Sequence, residues 1–340
     1  MLIVMRADAT ETQIEKVVTY VTSRGLRVDI LRSERHSMIG VLDDVTPLRS
    51  LPIDSLPGVE RVTLITHPFK LASRTFKHMD SVIKANDLEI GGSKIVLIGA
   101  TGYISDKNRL SQMARTFKNV GGAALKVGGT SDPSFNGFSK SEIQSFSEIA
   151  KETGLALIAD VVSPKQVDLV EPHAGFLLVN IRNMDNPDLI QRVGQSKNPV
   201  VLERGLDAKI EEWLLMAHRI MAEGNPQVVL CECGIRTFDS HNALDVNSIS
   251  MIKELSHLPV LVNSSLATEG RSAFLGAASK AALAAGADGL IIEIYEPRDA
   301  NLSDSSGSGL SVGEFAELAL TLNKVAVAIG RETTHGGITA

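Results

Sequence analysis

Eight short apolar runs, spaced at helix-length intervals, constrain this chain more than any other feature. They read KIVLIGA, AALKVGG, LALIADV, FLLVNI, PVVLERG, VVLCECG, PVLVNSS and GLIIEIY. Between them lie stretches of helical periodicity such as 140–153, 209–222, 245–256 and 270–286, the first preceded by Ser139 as a cap. Strands that are apolar on consecutive residues suit a parallel sheet buried on both faces. Eight strand–helix units close as a (β/α)₈ barrel. An open doubly wound sheet is the alternative, but no G-x-G-x-x-G follows any of the runs.

The chain has 340 residues, enough for such a barrel and one small extra domain. Residues 1–68 supply that domain. LIVM reads as a strand, Glu11 to Arg24 as a helix, LRVDIL and SMIGVLD as strands, and DSLPGVERVTLI as a helix end and a last strand. That βαββαβ order is ferredoxin-like. Residues 69–92 read as a connector, 93–330 as the barrel, and 331–340 as a Gly/Thr-rich tail expected to fray. A net charge of −6 gives no electrostatic footprint for nucleic acid or an anionic membrane. No apolar run has the length of a membrane span, and MLIVMRADATE lacks the pattern of a signal peptide, so a cytoplasmic protein is expected. Cys231 and Cys233, one residue apart on an expected strand, are taken to point to opposite faces, which argues against a disulfide framework.

In a barrel the working face is the C-terminal end of the strands. The candidates there are Thr101, Lys126 to Gly129, Asp160, Arg182 with Asn183, Glu203 with Arg204, Glu232 to Arg236, Asn263 to Leu266 and Glu293 to Tyr295, with Asp304 in the last loop. Lys126, Arg182, Arg204 and Arg236 could converge on a phosphate or carboxylate. The competing reading makes them rim salt bridges to neighbouring Asp and Glu. Asp160, Glu203, Glu293 and Asp304 are candidate acids or bases. Cys233 is either a nucleophile or a small buried filler, and Tyr295 either a catalytic hydroxyl or a packed ring. The eight histidines are scattered, which favours surface or structural roles over metal ligation.

These strand ends also carry a resemblance. CECGIRTFD (Cys231 to Asp239), LERG (Leu202 to Gly205), IRNMDN (Ile181 to Asn186), GADGLIIEI, LSD (Leu302 to Asp304) and the KLASRTFK connector are similar to the type I β 3-deoxy-D-arabino-heptulosonate 7-phosphate (DAHP) synthases. The resemblance covers nearly the whole chain. It implies a barrel behind a ferredoxin-like domain that binds aromatic amino acids, a homo-oligomer, and a reaction joining phosphoenolpyruvate to erythrose 4-phosphate. It also implies a divalent metal on Cys, His, Glu and Asp. Glu293 and Asp304 match the two carboxylates, but Thr101 stands at the cysteine position and Leu266 at the histidine position. The family's Lys-Arg-Gly reads Glu203-Arg204-Gly205, and its Glu-Arg-Gly-Ile-Arg has Cys233 for the first arginine. The loop after the second barrel strand is shortened to GGTSDPSFNG, although Lys126 keeps a cation before it.

Half of the metal site and part of both phosphate sites are thus replaced. The expectation is a DAHP-synthase-like barrel that has lost metal-dependent DAHP synthesis. It would need no cofactor, with room only for weak Mg²⁺ or Mn²⁺. The reading adopted is a repurposed aldolase- or lyase-type enzyme for a small anionic metabolite related to shikimate or chorismate. The alternatives are a non-catalytic regulator of a true synthase and a residual DAHP synthase.

Overall fold

Short β-branched and leucine-rich runs become strands where they can be buried on both faces, and the polar, Ala- and Leu-rich stretches between them become the helices that cover them. The computed structural model shows how that division is realised. It describes residues 1–32, 37–43, 45–48, 51–64, 67–101, 107–129, 135–239, 241–295 and 309–334. The chain falls into two units, Met1–Met79 and Asp80–Ala340.

The first unit holds strands β1 (Leu2–Met5), β2 (Val28–Arg32), β3 (Ser37–Val41) and β4 (Val59–Thr63), with helix α1 (Glu11–Thr22). The antiparallel sheet has the order β2-β3-β1-β4, the ferredoxin-like arrangement. Ile14, Val17 and Val21 form one stripe of α1 and bury against Ile3, Met5 and Ile39. The second helix expected before β4 is replaced, among the described residues, by two single-turn 3₁₀ segments, Thr46–Leu48 and Ile53–Ser55. Three prolines, Pro47, Pro52 and Pro57, break the helical hydrogen-bond ladder there.

The second unit opens with a hairpin, β5 (Ile83–Ala85) and β6 (Leu88–Ile90), inside the stretch expected to be a connector. Ile83, Leu88 and Ile90 are buried in the barrel's interior cluster with the first residues of several strands, so the hairpin closes the N-terminal end. The barrel strands are β7 (Lys94–Thr101), β8 (Ala124–Val127), β9 (Ala156–Asp160), β10 (Phe176–Val179), β11 (Val200–Glu203), β12 (Val228–Glu232), β15 (Val260–Asn263) and β16 (Gly289–Tyr295). All pair in parallel, and β16 pairs with β7 to close the ring.

The helices between them, which include α2 (Lys107–Asn119), α6 (Ile210–Ala222) and α9 (Ser272–Ala284), start and stop on local chemistry. Helix α3 (Lys140–Thr153) begins with a capping box, in which Ser139 Oγ accepts from Glu142 N and Glu142 accepts from Ser139 N. It ends at Gly154 in the left-handed conformation. Helices α4 (Pro164–Val170) and α5 (Pro187–Gly194) begin with proline behind Ser163 and Asn186 caps. Between β12 and β15 lie the short pair β13 (Ile235–Arg236) and β14 (Asn242–Ala243) and then helix α7 (Val246–Leu255). A one-turn helix α8 (Ser264–Ala267) follows β15. The short β17 (Leu310–Ser311) pairs with β16, and residues 331–334, expected to fray, instead contribute β18 (Glu332–Thr333) beside β7. The Arg331 guanidinium anchors that segment on Asp288 Oδ1 at 3.1 Å and on the Gly92 and Ala287 carbonyls.

Candidate functional site

Strand side chains alternate between faces, so each barrel strand sends every second residue inward. Ala124, Ile158, Leu178, Val201, Cys231, Leu261 and Ile291 share the apolar interior. One step further along each strand the same face carries Lys126, Asp160, Asn180, Glu203, Cys233, Asn263 and Glu293. This ring lies at the C-terminal ends of the strands, where barrel chemistry is done. All of its members are buried except Glu293, which is half-buried.

Two strands meet through charge in this ring. Lys126 Nζ lies 3.1 Å from Asp160 Oδ1 and 3.3 Å from Oδ2. Burial would lower the Lys126 ammonium, but Asp160, Glu203 and Glu293 outweigh it and hold it above its ordinary value. Gly128 makes room for the pair: its φ is +126°, and a Cβ there would stand 2.5 Å from Asp160 Cβ and Cγ. Glu203 accepts from Asn263 Nδ2 at 3.1 Å and from Ile181 N at 3.3 Å. Burial pushes its carboxyl up to about 7, against the pull of Lys126. The Asn180 amide is fixed because its oxygen accepts from Arg182 N and Asn183 Nδ2. Its buried nitrogen has no hydrogen-bond partner among the described residues. Asn180 was not singled out from sequence, although the inward alternation Phe176, Leu178, Asn180 places it in the ring.

The expected cluster of four cations does not form. Lys126 is inside the ring, held by Asp160. Arg204 faces away from Glu203, toward the helices. Its Nη1 lies 2.9 Å from Glu232 Oε2 and 3.1 Å from Asp245 Oδ2, its Nε donates to Ala208 O, and the guanidinium sits 6.0 Å from the Trp213 ring. Glu232 is completed by Gly234 N at 2.7 Å and Ser248 Oγ at 3.0 Å. These partners are the ones the salt-bridge reading of Arg204 calls for. Arg182 and Arg236 are exposed at the rim, with Arg182 Nη2 donating to Gly129 O at 3.1 Å.

The cysteines also depart from expectation. Residues i and i+2 of a strand share a face, so Cys231 and Cys233 point the same way, with Sγ atoms 4.0 Å apart. Both are fully buried, and burial pushes the Cys233 thiol well above its ordinary value. This environment matches the reading of Cys233 as a small buried filler rather than that of a nucleophile activated by neighbouring cations. Tyr295 is the last residue of β16 and partly exposed. Of the histidines, His257 is buried, with Nδ1 2.8 Å from Ser81 Oγ.

Of the four positions that the resemblance assigns to a divalent metal, two of the three described carry side chains that do not fit one. Thr101 is buried at the end of β7 and offers a hydroxyl. Leu266, on α8, packs its side chain against the interior apolar cluster. Glu293 has a ligand side chain, and its backbone N donates to Ser265 Oγ at 2.8 Å. Asp304 lies outside the described residues. Thiolate and imidazole are both missing from a site that needs them.

Residues 79–331 match the family model described as the DAHP synthetase I family, and residues 1–67 match the DAHP synthase ferredoxin-like domain. A phospho-2-dehydro-3-deoxyheptonate aldolase of Thermotoga maritima is 32% identical over 336 residues, which is 97% of this chain and 99% of that protein. A crystal structure of the phospho-2-dehydro-3-deoxyheptonate aldolase (DAHP synthase) from Thermotoga maritima superposes with a TM-score of 0.74 at 31% identity, covering 98% of both chains. A 2-dehydro-3-deoxyphosphooctonate aldolase of Syntrophotalea carbinolica is 22% identical over 68% of this chain and 91% of its own.

Proposed function

Because the chain belongs to the DAHP synthetase I family, we propose that its barrel mouth is an active site put to a different use: aldolase- or lyase-type acid–base chemistry on one small carboxylate-bearing metabolite, in place of metal-dependent joining of two phosphorylated substrates. The observation that carries this reading is the charge of the buried ring. Among the described residues it holds one ammonium, Lys126, against the carboxylates Asp160, Glu203 and Glu293. Two phosphates brought together need several unpaired cations to offset their repulsion. Here the one interior cation is already neutralised by Asp160.

What the ring offers instead is an acid–base set buried from water. Asp160 can accept a proton from carbon or hydroxyl, and the adjacent Lys126 ammonium can stabilise the oxyanion that results. The Asn180 amide hydrogen can fix a substrate carbonyl. Arg182 and Arg236 at the rim suit a single carboxylate. A buried ion pair is weak support for folding stability, so its placement in a barrel mouth favours a functional reason for keeping it.

The test has two arms. The pure protein is assayed for DAHP formation from phosphoenolpyruvate and erythrose 4-phosphate with Mn²⁺ and with EDTA; no turnover is expected, and robust formation overturns the proposal. A thermal-shift screen of shikimate, chorismate, prephenate and other small carboxylates identifies the ligand, which is then followed for conversion. Lys126→Met and Asp160→Asn, if folded, should abolish that conversion.

A further inference from the structure

We infer that Glu203, Cys231 and Cys233 form a binding site for one soft divalent cation of the zinc type inside the barrel mouth. The inference stands independently of the substrate chemistry proposed above.

Three observations carry it. The first is ligand spacing. One carboxylate oxygen and the two sulfurs all lie within 4.8 Å of one another, and the sulfurs are 4.0 Å apart. Two thiolates bound at ~2.3 Å with a tetrahedral angle stand about 3.8 Å apart, so the cation fits with movements of a few tenths of an ångström. The second is fixation. Glu203 is paired with Cys231 in strand register, which places the two side chains side by side on the inner face. Asn263 Nδ2 and Ile181 N each hold one carboxylate oxygen, leaving lone pairs on both. Such outer hydrogen bonds are what orients a metal carboxylate. The third is an unpaired donor on the neighbouring strand. The Asn180 amide nitrogen is buried and lacks a partner among the described residues, and strand alternation places Asn180 in the same ring. It is a donor waiting for an oxygen, such as a water or substrate oxygen on the cation.

The donor set selects the ion. Two sulfurs favour zinc-like cations over Mg²⁺ or Ca²⁺, which take oxygen ligands. Three protein ligands with one place left open is the arrangement of a reactive rather than a closed structural zinc site. The site shares no residue with the positions Thr101, Leu266, Glu293 and Asp304 discussed above. A cation here also offsets charge: three ionised ligands carry −3, and Lys126 is already committed to Asp160.

The test uses the full chain, purified without chelator and reduced, then titrated with Co²⁺ as a spectroscopic stand-in for zinc. A thiolate-to-cobalt charge-transfer band saturating at one equivalent, and displaced by Zn²⁺, is expected. Cys233→Ser and Glu203→Gln should each weaken Co²⁺ binding by more than ~100-fold while near-native circular dichroism persists. Absence of the band in the reduced wild-type protein overturns the inference, as does an unchanged band in the Cys233→Ser variant. Loss of both free thiols in the freshly isolated protein, counted after unfolding, would show a disulfide in place of the metal and overturn it too. None of these readouts depends on turnover, so a wrong substrate reading leaves them intact.

Discussion

Arg204 decides whether the mouth's basic residues serve structure or substrate. The perturbation is Arg204→Met, which keeps the apolar stem against Trp213 and removes the charge. In the native barrel Nη1 lies 2.9 Å from Glu232 and 3.1 Å from Asp245, and the Glu232 side chain is fully buried. Even with Arg204 present, burial holds the Glu232 carboxyl above its ordinary value. Removing the guanidinium leaves a buried charge that must either stay uncompensated or take up a proton. Breaking a buried pair in this way costs about 3–5 kcal/mol. Replacing both partners is far milder, so Arg204→Met combined with Glu232→Gln should return to within ~2 kcal/mol of wild type. Urea unfolding followed by tryptophan fluorescence measures this, because Trp213 is the chain's single tryptophan and is fully buried beside the pair. A loss below ~1 kcal/mol, or no recovery in the double variant, refutes the structural assignment. A stable single variant that no longer binds the ligand found by screening would return Arg204 to the substrate.

Three further outcomes are expected. Gly128→Ala forces a positive-φ backbone and a Cβ 2.5 Å from Asp160, so it should destabilise the barrel by at least ~2 kcal/mol in urea unfolding and impair any Asp160-dependent turnover. Glu171 accepts from Ser196 Oγ, Lys197 N and Arg192, and Glu171→Ala should cost about 1–3 kcal/mol in the same assay. Burial raises the Glu171 carboxyl, but Ser196, Arg192 and Lys197 together bring it below its ordinary value. Its folded value is thus the lower one. The stability it adds is present above pH ~4.5 and fades as pH falls through the folded value, so the gap between wild type and Glu171→Gln should shrink on acidification.

The barrel was legible because its signal is local and repeated: each strand announces itself within five residues. The inner ring was legible in part, since strand ends and alternation alone pick out Lys126, Asp160, Glu203 and Glu293. Partnership was not. Nothing in the sequence says that Lys126 meets Asp160, or that Arg204 turns away from Glu203 to reach Asp245 at the start of α7. Neighbours on a strand face opposite sides, so Glu203 and Arg204 serve different layers although they stand together in one motif. The cysteine pair was legible and misread, for a period of two puts Cys231 and Cys233 on one face. The expected helix before β4 failed because three prolines outweigh a short apolar pattern.

A graded series at Glu203 tests the charge argument. If the buried carboxylate is what keeps phosphate out of the mouth, then Glu203→Gln should admit it and Glu203→Lys should attract it. A unit charge about 5 Å from a phosphate interacts by roughly 3 kcal/mol at an effective dielectric near 20. Because burial holds the Glu203 carboxyl at about 7, the full repulsion is present only well above that pH: at about pH 9 removing it should strengthen inorganic phosphate binding about 100-fold, near pH 7 only about two-fold, and reversing the charge should add a further factor if the ammonium is tolerated. EDTA is kept throughout, so that no metal at the thiol pair contributes, and calorimetric affinity is compared only between variants with native-like melting. The glutamine variant is the decisive member, because it changes charge with almost no change of shape. A flat series in folded variants would mean that the ring's charge does not govern what the mouth accepts. The case against two phosphorylated substrates would then rest on the shortened loop after β8 and on Thr101 and Leu266 alone.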